Sequence, residues 1–234
     1  MTQEIAIGID FETTGIDANN SEVIEYALVT YCTAFKSMIS SLSNLVKPTK
    51  EIGKETELLT GINQLMLNNY GIEQNAMITH INMRFKNAKY LIAHNAEFEI
   101  SFLDKMQGLE YKHLEIIDTM KDINYPPFMK NRDLERLSLY HKCPNLNAHR
   151  ALPDTLTMLN ILSQYEFSKI LEYKNIPTVK IISLAGFDKK DLVKGLGFFW
   201  DANNRFWFMD IKINFLENIE NSLKENDIKY RIQN

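Results

Sequence analysis

Residues 5–10 (IAIGID) are almost continuously apolar, as an interior strand requires, and end on a carboxylate. The run 22–31 (EVIEYALVTY) is rich in β-branched and aromatic residues, and residues 38–46 can form a third strand. The links between the three are short enough for antiparallel neighbours, and Pro48 closes the block. The spacing then becomes helical. A short helix is predicted over 63–69. A longer one is predicted over 73–87, with Ala76, Met77, His80, Ile81 and Phe85 on one side. YLIA at 90–93 reads as a short buried strand, 96–106 as a helix and 115–118 as another strand. Residues 133–141 and 151–165 read as helices, with Pro126-Pro127 and Pro144 marking loops. Strands first, then strand and helix in alternation, predict an α/β fold: a mixed β-sheet flanked by helices.

The pattern changes after Tyr165. Residues 167–178 read as a connector with Pro177 near its end, so the first domain is taken as 1–166. Residues 179–234 read strand, helix, hairpin, helix, strand, a small C-terminal α+β domain. Its hairpin signal is FFWDANNRFWFMD, two aromatic runs around a polar turn with Asn203-Asn204 at its tip.

Composition narrows the class. With 234 residues, 45% hydrophobic and 24% charged, the chain can build one sizeable core and a satellite. No apolar run approaches the ~20 residues of a membrane span, and MTQEIAIGID lacks the basic and apolar regions of a signal peptide. Cys32 and Cys143 have no metal-like spacing and fit a reducing, cytoplasmic setting with no membrane partner. The net charge of −4 argues against coating duplex DNA by overall charge. Residues 179–234 carry nine basic and eight acidic residues, so the acidity belongs to the first domain.

Three polar stretches interrupt the apolar pattern. In DFETTG, Asp10 and Glu12 lie two apart, so on a strand both carboxylates face one way. Such a pair repels unless a hard divalent cation such as magnesium bridges it. In AHNAEFEISFL, Glu99 falls in the first turns of a helix, within reach of the neighbouring strand end, and Asn95 is placed to cap that helix. In NAHRALPDTLTML, His149 and Asp154 flank a helix start, because Pro153 is tolerated only near a helix N-terminus. Taken singly, each stretch also reads as ordinary surface polarity or a structural histidine.

The ordered set DxETTG, AHNAxF(acid)xxFL and HRAxxD, with Ile117-Asp118-Thr119 and Leu59-Thr60-Gly61-Ile62, resembles the DEDD exonucleases of the histidine type (DnaQ-like). This family includes exonuclease X and the proofreading subunit of bacterial replicative polymerase. The resemblance covers residues 1–165. It implies a ribonuclease-H-like fold and a 3′-to-5′ exonuclease that releases nucleoside 5′-monophosphates by a two-metal mechanism with Mg2+ or Mn2+. By matching position, Asp10, Glu12, Glu99 and Asp154 are the implied metal ligands and His149 the general base. Asp10 and Asp154 would hold the ion nearer the attacking water. Asp10 and Glu12 would hold the other, with Glu99 reaching it directly or through water. The backbone amides of Thr13 and Thr14, with Leu59, Ile62 and Asn95, are implied substrate contacts.

The implied substrate is a single-stranded or frayed 3′ end, of DNA in the leading reading. RNA or short oligonucleotides form a second reading, and a catalytically impaired nucleic-acid-binding subunit a third. A polymerase or another replication or repair protein is the implied protein partner. One position departs from the family pattern, which has Asp where this chain has Glu99. The tail aromatics, Trp200 and Trp207 above all, fit either a small core or a base-stacking surface with Lys189, Lys190, Lys194 and Arg205.

Overall fold

The computed structural model describes residues 4–126, 128, 129 and 131–233, which leaves Pro127 of the expected loop outside the description. The chain divides into two compact units, Met1–Leu171 and Glu172–Asn234.

The first unit opens with β1 (Ile5–Thr13), β2 (Val23–Cys32) and β3 (Ser37–Leu45), consecutive antiparallel strands. Helices α1 (Lys54–Thr60), α2 (Gln64–Tyr70) and α3 (Gln74–Phe85) follow. Then come β4 (Tyr90–Ala93), α4 (Glu97–Leu103), β5 (Glu115–Asp118), α5 (Leu134–Tyr140), α6 (Ala151–Ser163) and α7 (Phe167–Lys174). The sheet order is β3-β2-β1-β4-β5, with β4 parallel to β1 and β5 parallel to β4. This is the mixed sheet with flanking helices that the alternation of the sequence predicts. Helix α7 departs from the expected connector. Phe167 and Ile170 are buried in the first unit's core, and the Phe167 ring meets Tyr90 edge-on at 4.9 Å.

Alternation along β1 builds both faces of the sheet. Ile7, Ile9 and Phe11 point into a core with Met77, Ile81 and Phe85 of α3 and Phe102 and Leu103 of α4. Ala6 points the other way, into a core with Met158, Leu159 and Leu162 of α6. Gly8, Asp10 and Glu12 continue the Ala6 row. A Cβ on Gly8 would lie 2.9 Å from Leu159 Cδ1 and 3.1 Å from Thr155 Cγ2, so glycine lets α6 press against the strand. The two acids at the strand end therefore face the first turns of α6.

Candidate active site

Pairing of β1 with β4 stops at Gly8, because β4 ends at Ala93 and the chain turns away at Asn95, which has a left-handed φ of 64°. Asp10 and Glu12 extend past that point. Helix α6 begins two residues before Pro153, which places Asp154 in its first turn. Ligand oxygens of Asp10, Glu12 and Asp154 all lie within 4.8 Å of one another. Each of these carboxyls is held above its ordinary range. Burial is the first cause at all three, and the neighbouring negative charges add to it. Glu12, only 8% exposed, is pushed up to about 8.

Glu99, in the first turn of α4, is buried at 2% exposure. Its Oε2 is buried without a hydrogen-bond partner. Burial, then the charges of Asp118 and Glu12, hold its carboxyl high, and its charge in turn raises Asp10. Glu99 borders the three-acid group but is outside it.

Four crowded carboxyls, one with an orphaned buried oxygen, are a costly arrangement for a protein alone. They fit a divalent cation, whose preferred ligands are carboxylate oxygens. The protonation follows the same logic. A carboxyl near 8 in the folded chain and near 4.5 when unfolded is a proton-uptake site on folding, so stability of the metal-free protein falls as pH rises between those values. Thermal melts in EDTA are expected to show a Tm that drops from pH 5.5 to pH 8. Manganese is expected to raise Tm at pH 8 more than at pH 5.5, where it must displace protons. An equal gain at both pH values would overturn this account.

His149 is exposed at the rim, with φ 60°, and its N–H donates to Asp154 Oδ2 at 3.2 Å. Asn145 Nδ2 donates to Asp154 Oδ1, so both carboxylate oxygens are oriented by the loop before α6. That loop is anchored by Glu25 of β2, which lies opposite Glu12 and is only 4% exposed. Its carboxylate accepts from Arg150 Nη2 at 2.7 Å, Arg150 Nε at 3.0 Å and the Ala151 N–H at 2.9 Å. The position reads as one more strand residue in sequence. Its signal is a glutamate inside an apolar run, paired in the structure with an arginine adjacent to the histidine. Asp118 supports the other side. Its Oδ1 accepts the Asn95 and Met120 N–H groups at 3.0 and 2.9 Å.

The expected substrate contacts divide. Leu59 is 58% exposed at the end of α1, a helix the sequence reading lacks, and Thr56 of the same helix donates to the Thr14 carbonyl at 3.4 Å. Asn95 is exposed and does not cap α4, whose N-cap is Ala96. Two contacts are corrected. Ile62 is fully buried against Ile24 and Leu67, because the chain turns inward after Gly61, and it presents no surface to a substrate. The Thr14 amide is donated to the Glu22 carbonyl at 2.9 Å, so it is not available to a nucleotide. Thr13 remains half-exposed, with its hydroxyl donated to Gly15 O at 2.7 Å.

Residues 7–162 match the profile of the RNase_T family, described as exonuclease. The chain belongs to this exonuclease family. A DNA polymerase III of the PolC type from Thermotoga petrophila is 27% identical over 198 residues, covering 80% of this exonuclease chain and 14% of the relative. The DNA polymerase III subunit epsilon of Treponema pallidum is 29% identical over 163 residues, covering 66% of the chain and 73% of the subunit. The chain thus spans only a small part of the PolC-type relatives and about three quarters of the epsilon subunit. The zinc-bound E. coli exonuclease I complex with single-stranded DNA shares the fold, with a TM-score of 0.63 at 16% identity. It covers 80% of this chain and 49% of that one. No helix among the described residues is long and apolar enough to cross a membrane.

Proposed function

We propose that the first unit is a metal-dependent 3′-to-5′ exonuclease acting on single-stranded or frayed ends of DNA. The observation that carries this reading is the convergence of Asp10, Glu12 and Asp154, with His149 bound through its backbone to Asp154. Asp10, Glu12 and Asp154 would hold two Mg2+ or Mn2+ ions, with Glu99 completing the second. When bound, the ions activate water and stabilise charge on the scissile phosphate. The chain's own residues do the rest. His149 accepts the proton of the attacking water as its oxygen bonds to phosphorus. The P–O3′ bond breaks, the leaving oxygen takes a proton from solvent, and a nucleoside 5′-monophosphate is released. Leu59 packs against the terminal base, and Asn95, exposed where the chain leaves β4, contacts the terminal nucleotide. The polymerase III relatives favour a replication or repair polymerase as protein partner.

The test is cleavage of 5′-labelled single-stranded DNA and RNA with magnesium, manganese or EDTA. A ladder shortening from the 3′ end, present with metal and absent in EDTA, is the expected result, with DNA cut faster than RNA. Faster cleavage of RNA would reassign the substrate, and no cleavage with any metal would leave a binding subunit.

Glu99 is the sharpest internal check. Its extra methylene moves the carboxylate by ~1.5 Å relative to Asp, and errors of ~1 Å cost about 100-fold in rate. Its place in a packed pocket at 2% exposure favours a site built around glutamate. Glu99→Asp is therefore expected to lower kcat by ~10-fold or more and Glu99→Ala by about 100-fold. Full activity in Glu99→Ala would remove it from the ligand set.

A further inference from the structure

The second unit runs β6 (Thr178–Ser183), a 3-10 turn (Phe187–Lys189), α8 (Lys190–Gly195), β7 (Phe199–Asp201), β8 (Phe206–Lys212), a second 3-10 turn (Ile213–Phe215), α9 (Leu216–Glu225) and β9 (Tyr230–Gln233). The sheet order is β7-β8-β6-β9, antiparallel throughout, which is a βαββαβ arrangement. Val193 of α8 and Leu223 of α9 pack with Ile181, Trp207, Met209 and Ile211, so both helices cover the same face. Trp207 is thus part of the small core, with Trp200 beside it at 5.4 Å between ring centroids.

Residues between those core positions point to the opposite face. The register aligns Phe199, Phe208, Ile182 and Arg231 in one row across all four strands. Phe206 lies in the row on one side and Lys180 in the row on the other. Phe199 is 68% exposed, and Phe206 and Phe208 are half-buried. The rings are evenly placed, with Phe199 to Phe208 at 6.4 Å and Phe206 to Phe208 at 6.3 Å between centroids. Lys180 Nζ stands 4.8 Å over the Phe208 ring, and Arg231 is exposed.

Ile182 within the row is buried at 1% exposure, so the part that reaches solvent is the Phe199 ring with portions of Phe206 and Phe208; apolar rings left in water mark a binding surface. Three properties favour one occupant. The ring spacing is wider than the ~3.4 Å rise of a stacked strand, so it suits bases splayed onto separate rings. The face carries Lys180 and Arg231. Asp210 lies 3.9 Å from Lys180, a weak exposed pair that a phosphate can displace, and Asp201 accepts from the Asn203 and Asn204 amides in the turn. The charge of residues 179–234 is also slightly positive where the rest of the chain is acidic. Lys189, by contrast, is tied to the Asn226 and Asp227 carbonyls.

We propose that this open sheet face is a single-stranded nucleic-acid site, with bases stacked on Phe199, Phe206 and Phe208 and phosphates held by Lys180 and Arg231. It belongs to the second unit and does not depend on cleavage.

The test is fluorescence anisotropy on the full chain in EDTA, where hydrolysis is blocked, with single strands of about 20 nucleotides and fragments of about 4. DNA and RNA arms show which sugar the face accepts. Phe199→Ala, at an exposed ring, is expected to weaken binding of the longer strand by ~5- to 10-fold, while 3′-end cleavage of the short fragment, followed separately with magnesium, stays unchanged. Lys180→Gln and Arg231→Gln should each flatten the logarithmic salt dependence by ~0.7. Unchanged affinity in Phe199→Ala together with an unchanged salt slope in the lysine and arginine variants would overturn the proposal and leave the face to a protein partner. Because the readout is binding without metal, an inactive first unit would not change it.

Discussion

Asp10→Asn is expected to reduce 3′-end cleavage by at least ~1,000-fold while making the metal-free protein more stable at alkaline pH. The two effects share one cause. Asp10 lies among Glu12, Glu99, Asp154 and Glu25, and burial with these charges raises its carboxyl well above the ordinary range. A neutral amide of the same shape removes the repulsion and with it the shared ligand. Stability should rise most at pH 8, where the wild-type carboxyls are being forced to ionise, and change little at pH 5. The gain in Tm on adding manganese should shrink or vanish. Single-turnover cleavage and melting curves with and without manganese check both halves. Wild-type cleavage in this variant would remove Asp10 from the site, and a lower metal-free Tm at pH 8 would show that its charge is stabilising.

The same physics explains what the sequence discloses. Period-two alternation and a proline tolerated only near a helix start are local rules, so β1, the start of α6 and the tail hairpin can be read from residues within a few positions. Asp10, Glu12 and Asp154 are likewise legible, because polar residues interrupt apolar elements at positions that would otherwise be buried. Glu25 is hidden because its meaning lies across the sheet, in Arg150 and the Ala151 amide 125 and 126 positions later. Ile62 misleads for the opposite reason. Its motif lies next to exposed Leu59, but the turn at Gly61, with φ 69°, directs it inward. Helix α7 is invisible to local pattern because a short polar helix is stabilised by what Phe167 and Ile170 bury, and their partners come from β4 and α6. In the tail, alternate aromatics of one hairpin are divided between two faces, and only the strand register shows which are core.

His149→Asn separates proton transfer from metal holding. Histidine here has a left-handed backbone, and asparagine adopts that conformation more readily than most residues. The substitution also keeps the backbone N–H that Asp154 accepts, so the ligand cluster should retain its geometry. The expected loss is ~100- to 10,000-fold in kcat, the usual worth of a positioned general base. The manganese-induced rise in Tm should persist, in contrast to Asp10→Asn. Chemical rescue supplies the decisive readout. Free imidazole added to His149→Asn is expected to restore part of the lost kcat, because the substitution removes a base and leaves the cluster in place. If the variant is not rescued, the proton goes elsewhere. If it loses the thermal response to manganese as well, His149 acts by orienting Asp154 rather than as the base.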